Sequence, residues 1–133
     1  MIAVDSSVLV AAFASWHEAH AVARRHLGGA RLIGHCLVET YSVLTRLPPP
    51  HRVPGALAAD FLGRTSTSPP LVLTAGAMRD FPARLSAWGI TGGASYDALI
   101  ATTAAQYDAE LISLDVRAAV TYRLVGVTHT LLA

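Results

Sequence analysis

Lysine is missing from this 133-residue chain: all ten basic residues are arginine. That absence removes the phosphate-gripping lysine of P-loops, Schiff-base chemistry and the Ser-x-x-Lys nucleophile pair. Cysteine occurs once, at Cys36, so an internal disulfide or a multi-cysteine zinc site has no material to form from. Charge is scarce, at 14% of residues against 53% hydrophobic, which argues against disorder and for surface that is buried or shared with a partner. Even so, no apolar run approaches the roughly 18–20 residues of a membrane span. The opening lacks the basic start of a signal peptide and carries Asp5 instead, so the expectation is a cytoplasmic protein with no membrane partner. The net charge of +1 neither demands nor forbids a nucleic-acid partner.

What is present reads as one domain over residues 1–133, long enough to bury a core. Ile2–Val4 reads as a short buried strand and Ser6–Ala14 as a helix begun near Ser6 or Ser7. A second helical stretch, with Ala19, Val22, Ala23 and Leu27 on one face, stops at Gly28-Gly29. Arg31–Gly34 reads as strand two, Cys36–Leu47 as a helix ended by three prolines, and Gly55–Leu62 as another helix. Leu71–Leu73 follows a Ser/Thr/Pro loop as strand three. Thr74 is placed to cap a helix through Trp88, kinked or divided at Pro82, and Ser95 to cap an alanine-rich helix to about Tyr107. Glu110–Leu114, Val116–Leu124 and Val127–Leu131 complete a strand, a helix and a strand. Strands alternating with helices predict a parallel α/β sheet.

The nine acidic residues are informative in their placement. Asp5 follows strand one directly and Asp115 follows strand four; Glu39 lies early in the helix after strand two, and Asp97 early in the helix before strand four. In a doubly wound sheet the carboxyl ends of the strands share one edge, where ligands bind. With strand order 3-2-1-4-5, strands one and four flank the switch point and all four acids can converge. Each has a plainer reading: Asp5 and Asp115 as helix caps, Asp97 as a dipole partner, Glu39 as a solvated surface acid. Crowded carboxylates raise one another's pKa unless a cation is present. A hard divalent ion such as Mg²⁺ takes one or two carboxylates, water and phosphate oxygens, and two such ions about 3.5–4 Å apart stabilise both oxygens of a phosphoryl transfer. Ser7 is placed to hold water or orient a carboxylate.

The segments MIAVDSSVLVAAF, LVETYSVLTRL and GGASYDALIATTAAQYDAELISLDVRAAVTYRLVGV together resemble a PIN domain and, more narrowly, the VapC toxins of bacterial type II toxin–antitoxin pairs. The resemblance covers nearly the whole chain, with Arg52 to Ile90 contributing least. Its specific pieces are the opening Asp-x-Ser before an apolar helix and the DALIA segment about ten residues before a strand ending in Leu-Asp. It implies a three-layer α/β/α fold with a central parallel sheet in the order 3-2-1-4-5. It also implies a Mg²⁺- or Mn²⁺-dependent endoribonuclease that cleaves structured RNA, tRNA or rRNA, by metal-activated water, leaving 5′-phosphate and 3′-hydroxyl ends. The family's catalytic and metal-binding quartet falls on Asp5, Glu39, Asp97 and Asp115, and its helix-opening hydroxyl on Ser7. Many relatives carry a further acid two residues past the last one, where this chain has Arg117. The resemblance further implies a homodimer neutralised by a VapB-like antitoxin, the cognate one not being legible in this chain.

Other features are weaker. The histidines of HEAH (His17–His20) are three apart, where the metalloprotease motif needs four, so a solvated helix face is the better reading. His35 reads as a strand end with no ligand role, Tyr96 as packing or as a surface for a base, and Gly92-Gly93 as a turn or as an approach to phosphate. Arg117 and Arg123 are candidate RNA contacts, with an antitoxin-facing role equally open. A receiver domain also clusters aspartates, but its phosphoryl chemistry uses a lysine that this chain lacks. The remaining alternative is a catalytically inactive PIN-fold binding module.

Overall fold

The computed structural model describes residues 1–132. The chain runs β1 (Ile2–Val4), α1 (Ser6–Phe13), α2 (His20–Arg25), β2 (Arg31–Leu32), α3 (Gly34–Thr45), α4 (Gly55–Thr65), α5 (Ala75–Trp88), α6 (Ala94–Gln106), β3 (Glu110–Ser113), α7 (Val116–Val125) and β4 (His129–Leu131). All pairings are parallel and the order is β2-β1-β3-β4, an α/β/α arrangement with helices about the sheet.

The third strand expected at Leu71–Leu73 shrinks to a single parallel bridge between Ile33 and Leu71. Pro69-Pro70 precede it, and Pro70 has no N–H to donate, while Thr74 already caps α5. The strand has no room to extend on either side. With Leu71 counted at the edge, the expected order 3-2-1-4-5 holds. Three further expectations change. The Ser95 side chain caps nothing, because α6 begins at Gly93-Ala94 without a side-chain cap. Pro82 does not divide α5, which is continuous around it. Helix α3 begins at Gly34 rather than Cys36.

The main core joins strand residues Ala3, Val4, Leu111 and Ile112 to Val8 and Leu9 of α1 and to Ala101 and Ala104 of α6. The alanines let α6 lie close to its neighbours, so volume there is tightly constrained. Truncating a residue such as Leu9, which is fully buried, should cost about 2–5 kcal/mol. Gly126 ends α7 in the left-handed region at φ 88°, a conformation that strains any residue with a Cβ, and the chain turns there toward β4.

Topology places the site. The chain leaves β1 for β2 on one side, and the later strands β3 and β4 add on the other, so the switch point lies between β1 and β3. In register, Val4 faces Ile112, and the Asp5 amide donates to the Ile112 carbonyl at 3.1 Å. The carboxyl ends of the two central strands therefore deliver Asp5 and Asp115 to one edge.

Candidate active site

Asp5 is both a strand-end acid and a helix cap. Its extended backbone ends β1, and its Oδ1 accepts from the amides of Ser7 (3.0 Å) and Val8 (3.4 Å) at the start of α1. The Ser7 hydroxyl donates to the same oxygen. Oδ2 accepts from the Tyr122 hydroxyl at 2.7 Å. The carboxylate is only 2% exposed. Burial pushes its pKa up, and the hydroxyls of Ser113, Ser7 and Tyr122 pull it part of the way back.

Asp115 repeats the device one strand over. Its Oδ1 accepts from the amides of Arg117 (2.9 Å) and Ala118 (3.2 Å) and caps α7. Ser7 ties the two ends together, because its hydroxyl oxygen also accepts from the Leu114 amide at 2.8 Å. Ser113 helps from β3: its hydroxyl accepts from the Asp115 amide at 3.0 Å. A hydroxyl at position 7 thus fixes one carboxylate and the loop that carries the other.

Glu39 lies in α3, half-buried rather than fully solvated, with its Oε2 at 3.3 Å from His35 Nε2 one turn earlier. Asp97 lies in the first turn of α6, half-buried, and its carboxyl is pushed up to about 6. Burial is the largest cause, followed by the charges of Asp115, Glu39 and Asp5, with Arg117 opposing. One group thus feels the other three acids, and the four share one electrostatic field. Burial drives the thiol of Cys36 far up as well, so it is inert as a nucleophile.

An open cleft of about 1030 Å³ crosses this edge, lined among others by Ser7, Glu39, Asp115, Arg117, His17 and Glu18. Arg117 therefore lies in the cleft. Arg123 does not line it; it sits exposed in the last turn of α7, where a cation complements the helix dipole. The two histidines of HEAH are each committed locally: His17 Nδ1 accepts from the Ala19 amide, and His20 Nδ1 meets the Ala11 carbonyl. They lie in turns and at the start of α2 rather than along one helix face. Tyr122 is the site residue that sequence reasoning missed. Its position four residues past Ala118, on a buried helix face, marks it as core, and only the demand of a buried hydroxyl for a partner hints at more.

Among the described residues, no three carboxylate, imidazole or thiol groups close into a ready-made metal cage. The donor set nonetheless fits a hard divalent cation. It is all carboxylate oxygen, the carboxyl of Asp97 is raised by burial and then by the charges of the other three, and such ions keep several waters instead of a full protein shell.

Comparison with known proteins gives the family. The family model described as PIN domain matches residues 2–124. The chain is 50% identical over 123 residues to Ribonuclease VapC40 of Mycobacterium tuberculosis, in two strains, covering 92% of each chain. It is 44% identical over 134 residues to Ribonuclease VapC27 of the same species, covering 99% of this chain and 96% of that one.

Proposed function

The chain belongs to the PIN-domain family as a relative of the VapC ribonucleases, and on that premise we propose that it is a metal-dependent endoribonuclease, the toxin of a toxin–antitoxin pair, cleaving tRNA or rRNA. The observation that carries the reading is Asp97, whose carboxyl is raised by burial and by Asp115, Glu39 and Asp5 together. Such unrelieved repulsion is what a divalent cation is suited to relieve, and two of the four acids, Glu39 and Asp115, line the open cleft.

Asp5, Glu39, Asp97 and Asp115 would hold Mg²⁺ or Mn²⁺. When bound, the ion supplies Lewis acidity and a water that is nucleophilic at neutral pH. The chain's own groups do the rest. Asp5, fixed at both oxygens, gives a rigid anchor at the strand end. Ser7 holds that anchor and the β3–α7 loop in one geometry. Asp97 carries a proton near pH 6 that cation binding would expel. Arg117, where many relatives have an acid, supplies a fixed positive charge in the cleft for the substrate phosphate. Arg123 would reach only RNA extending beyond the cleft.

A net charge of +1 gives little general attraction for phosphate, which supports recognition of folded RNA by shape over binding to any duplex. An apolar stripe on the open face of α7, with Val116 68% and Val120 59% exposed, supports a partner surface for a second copy or a VapB-like antitoxin. No helix among the described residues is long and apolar enough to cross a membrane. The test is incubation of a tRNA and rRNA pool, and of random duplex DNA, with the protein and Mg²⁺ or Mn²⁺ at moderate salt. Cleavage of the RNA alone is expected; equal cleavage of duplex DNA, or none of either, refutes the proposal and leaves a different nuclease or an inactive binding module.

A further inference from the structure

We propose that Tyr96, backed by His35, is a stacking platform for an unpaired nucleobase of the bound RNA, next to Glu39. The inference rests on the ribonuclease reading above and adds a base-binding residue to it. Tyr96 stands in the first turn of α6 and is 58% exposed. It joins none of the buried apolar clusters, and its hydroxyl has no hydrogen bond among the described residues. A tyrosine that served packing alone would be covered.

The ring is nonetheless held. The His35 imidazole stacks on it with centroids 5.3 Å apart and planes 6° from parallel. His35 is itself anchored by its Nε2 at 3.3 Å from Glu39 Oε2. The pair therefore abuts one of the four acids, since His35 reaches Glu39 by hydrogen bond, and Tyr96 stands on the same first turn of α6 as Asp97. At that centroid separation the two parallel rings are offset, and more than half of the tyrosine stays exposed to solvent.

An aromatic side chain fixed in advance suits a base for three reasons. Little rotational freedom is lost on binding. Stacking is tolerant of base identity, and its removal weakens binding roughly 5- to 150-fold. A base in a duplex is already stacked on both sides, so the platform selects loops, bulges and ends. With the Glu39 carboxylate beside it, the platform would repel a backbone phosphate placed here without a cation, whereas a neutral base meets no such penalty.

The experiment uses the full chain with Mg²⁺ or Mn²⁺ and an RNA hairpin cut by the wild type, carrying 2-aminopurine in turn at each position flanking the cut. Tyr96→Ala and Tyr96→Leu should both raise KM on loop substrates about tenfold or more, with melting temperature unchanged. Tyr96→Phe and Tyr96→Trp should restore it. Fluorescence of one flanking 2-aminopurine should be quenched by the wild type, Phe and Trp proteins and not by the Leu protein. Full activity in Tyr96→Leu, or no quenching at any flanking position, overturns the platform while the ribonuclease reading stands. A wild type that cuts no RNA overturns the underlying reading and this inference with it.

Discussion

Replacing Asp97 by asparagine should stabilise the metal-free protein at neutral pH. The folded carboxyl sits at about 6 against an ordinary 3.8, so between those values the folded chain binds more protons than the unfolded one. Its stabilising contribution is fully present below about pH 4 and is lost as pH rises through about 6. At full strength that difference is about 3 kcal/mol. Asp97 is only half-buried, and solvent screening brings the expected effect down to about 1 kcal/mol. Asparagine stays neutral throughout, so the variant should match the wild type near pH 4 and melt about 3–4 °C above it at pH 7. The assay is a melting series of both proteins in chelator from about pH 4 to pH 7, repeated with Mg²⁺ or Mn²⁺. Added metal should raise the wild type by mass action and the variant less, closing the gap. A variant that melts below the wild type at pH 7 in chelator, or a gap that does not grow with pH, would refute the shared field of the four acids.

Three further substitutions probe Asp5 and its partner Tyr122. Asp5→Asn keeps an oxygen for the Ser7 and Val8 amides, offers an N–H to the Tyr122 hydroxyl and removes a buried charge, so in chelator it should melt at or above the wild type. Asp5→Ala loses a cap of about 1 kcal/mol and orphans that hydroxyl for about 1–3 kcal/mol more; equal melting of the two variants would contradict the bonding described. Tyr122→Phe leaves the Asp5 Oδ2 without its donor and should lower metal-free stability by about 1–3 kcal/mol. In a double-mutant cycle with Asp5→Ala, which leaves no acceptor to orphan, that loss should largely vanish, and additive losses would show that the contact carries no energy.

Strand ends and acid positions were legible in the sequence because each is a local signal: an apolar run, then a carboxylate, then a helical pattern. The two readings of Asp5 turned out not to compete, since the residue that ends a strand is also the one free to cap the following helix. The same holds for Asp115. What escaped depends on distance or on boundaries. Tyr122 meets Asp5 across 117 positions, and nothing local marks an aromatic core residue as a hydrogen-bond donor to a site. The pairing of His35 with Glu39 is an ordinary i, i+4 contact, hidden by beginning α3 two residues late and placing His35 outside the helix. Glu18 and His17 reach the cleft from turns between α1 and α2, where periodicity gives no direction to a side chain. The single bridge at Leu71 follows from flanking residues, prolines on one side and a helix cap on the other, that limit a strand without appearing in its apolar pattern.

The central claim is that the four carboxylates hydrolyse RNA with a divalent metal and activated water. The most direct measurement maps the new ends in RNA after brief exposure to the wild type with Mg²⁺ or Mn²⁺, beside Asp5→Asn, Asp97→Asn and Asp115→Asn. The account predicts discrete cuts with 5′-phosphate and 3′-hydroxyl ends, abolished by chelator and by each substitution in proteins that remain folded. Cuts ending in 2′,3′-cyclic phosphate, or undiminished by chelator or by Asp97→Asn, would contradict it.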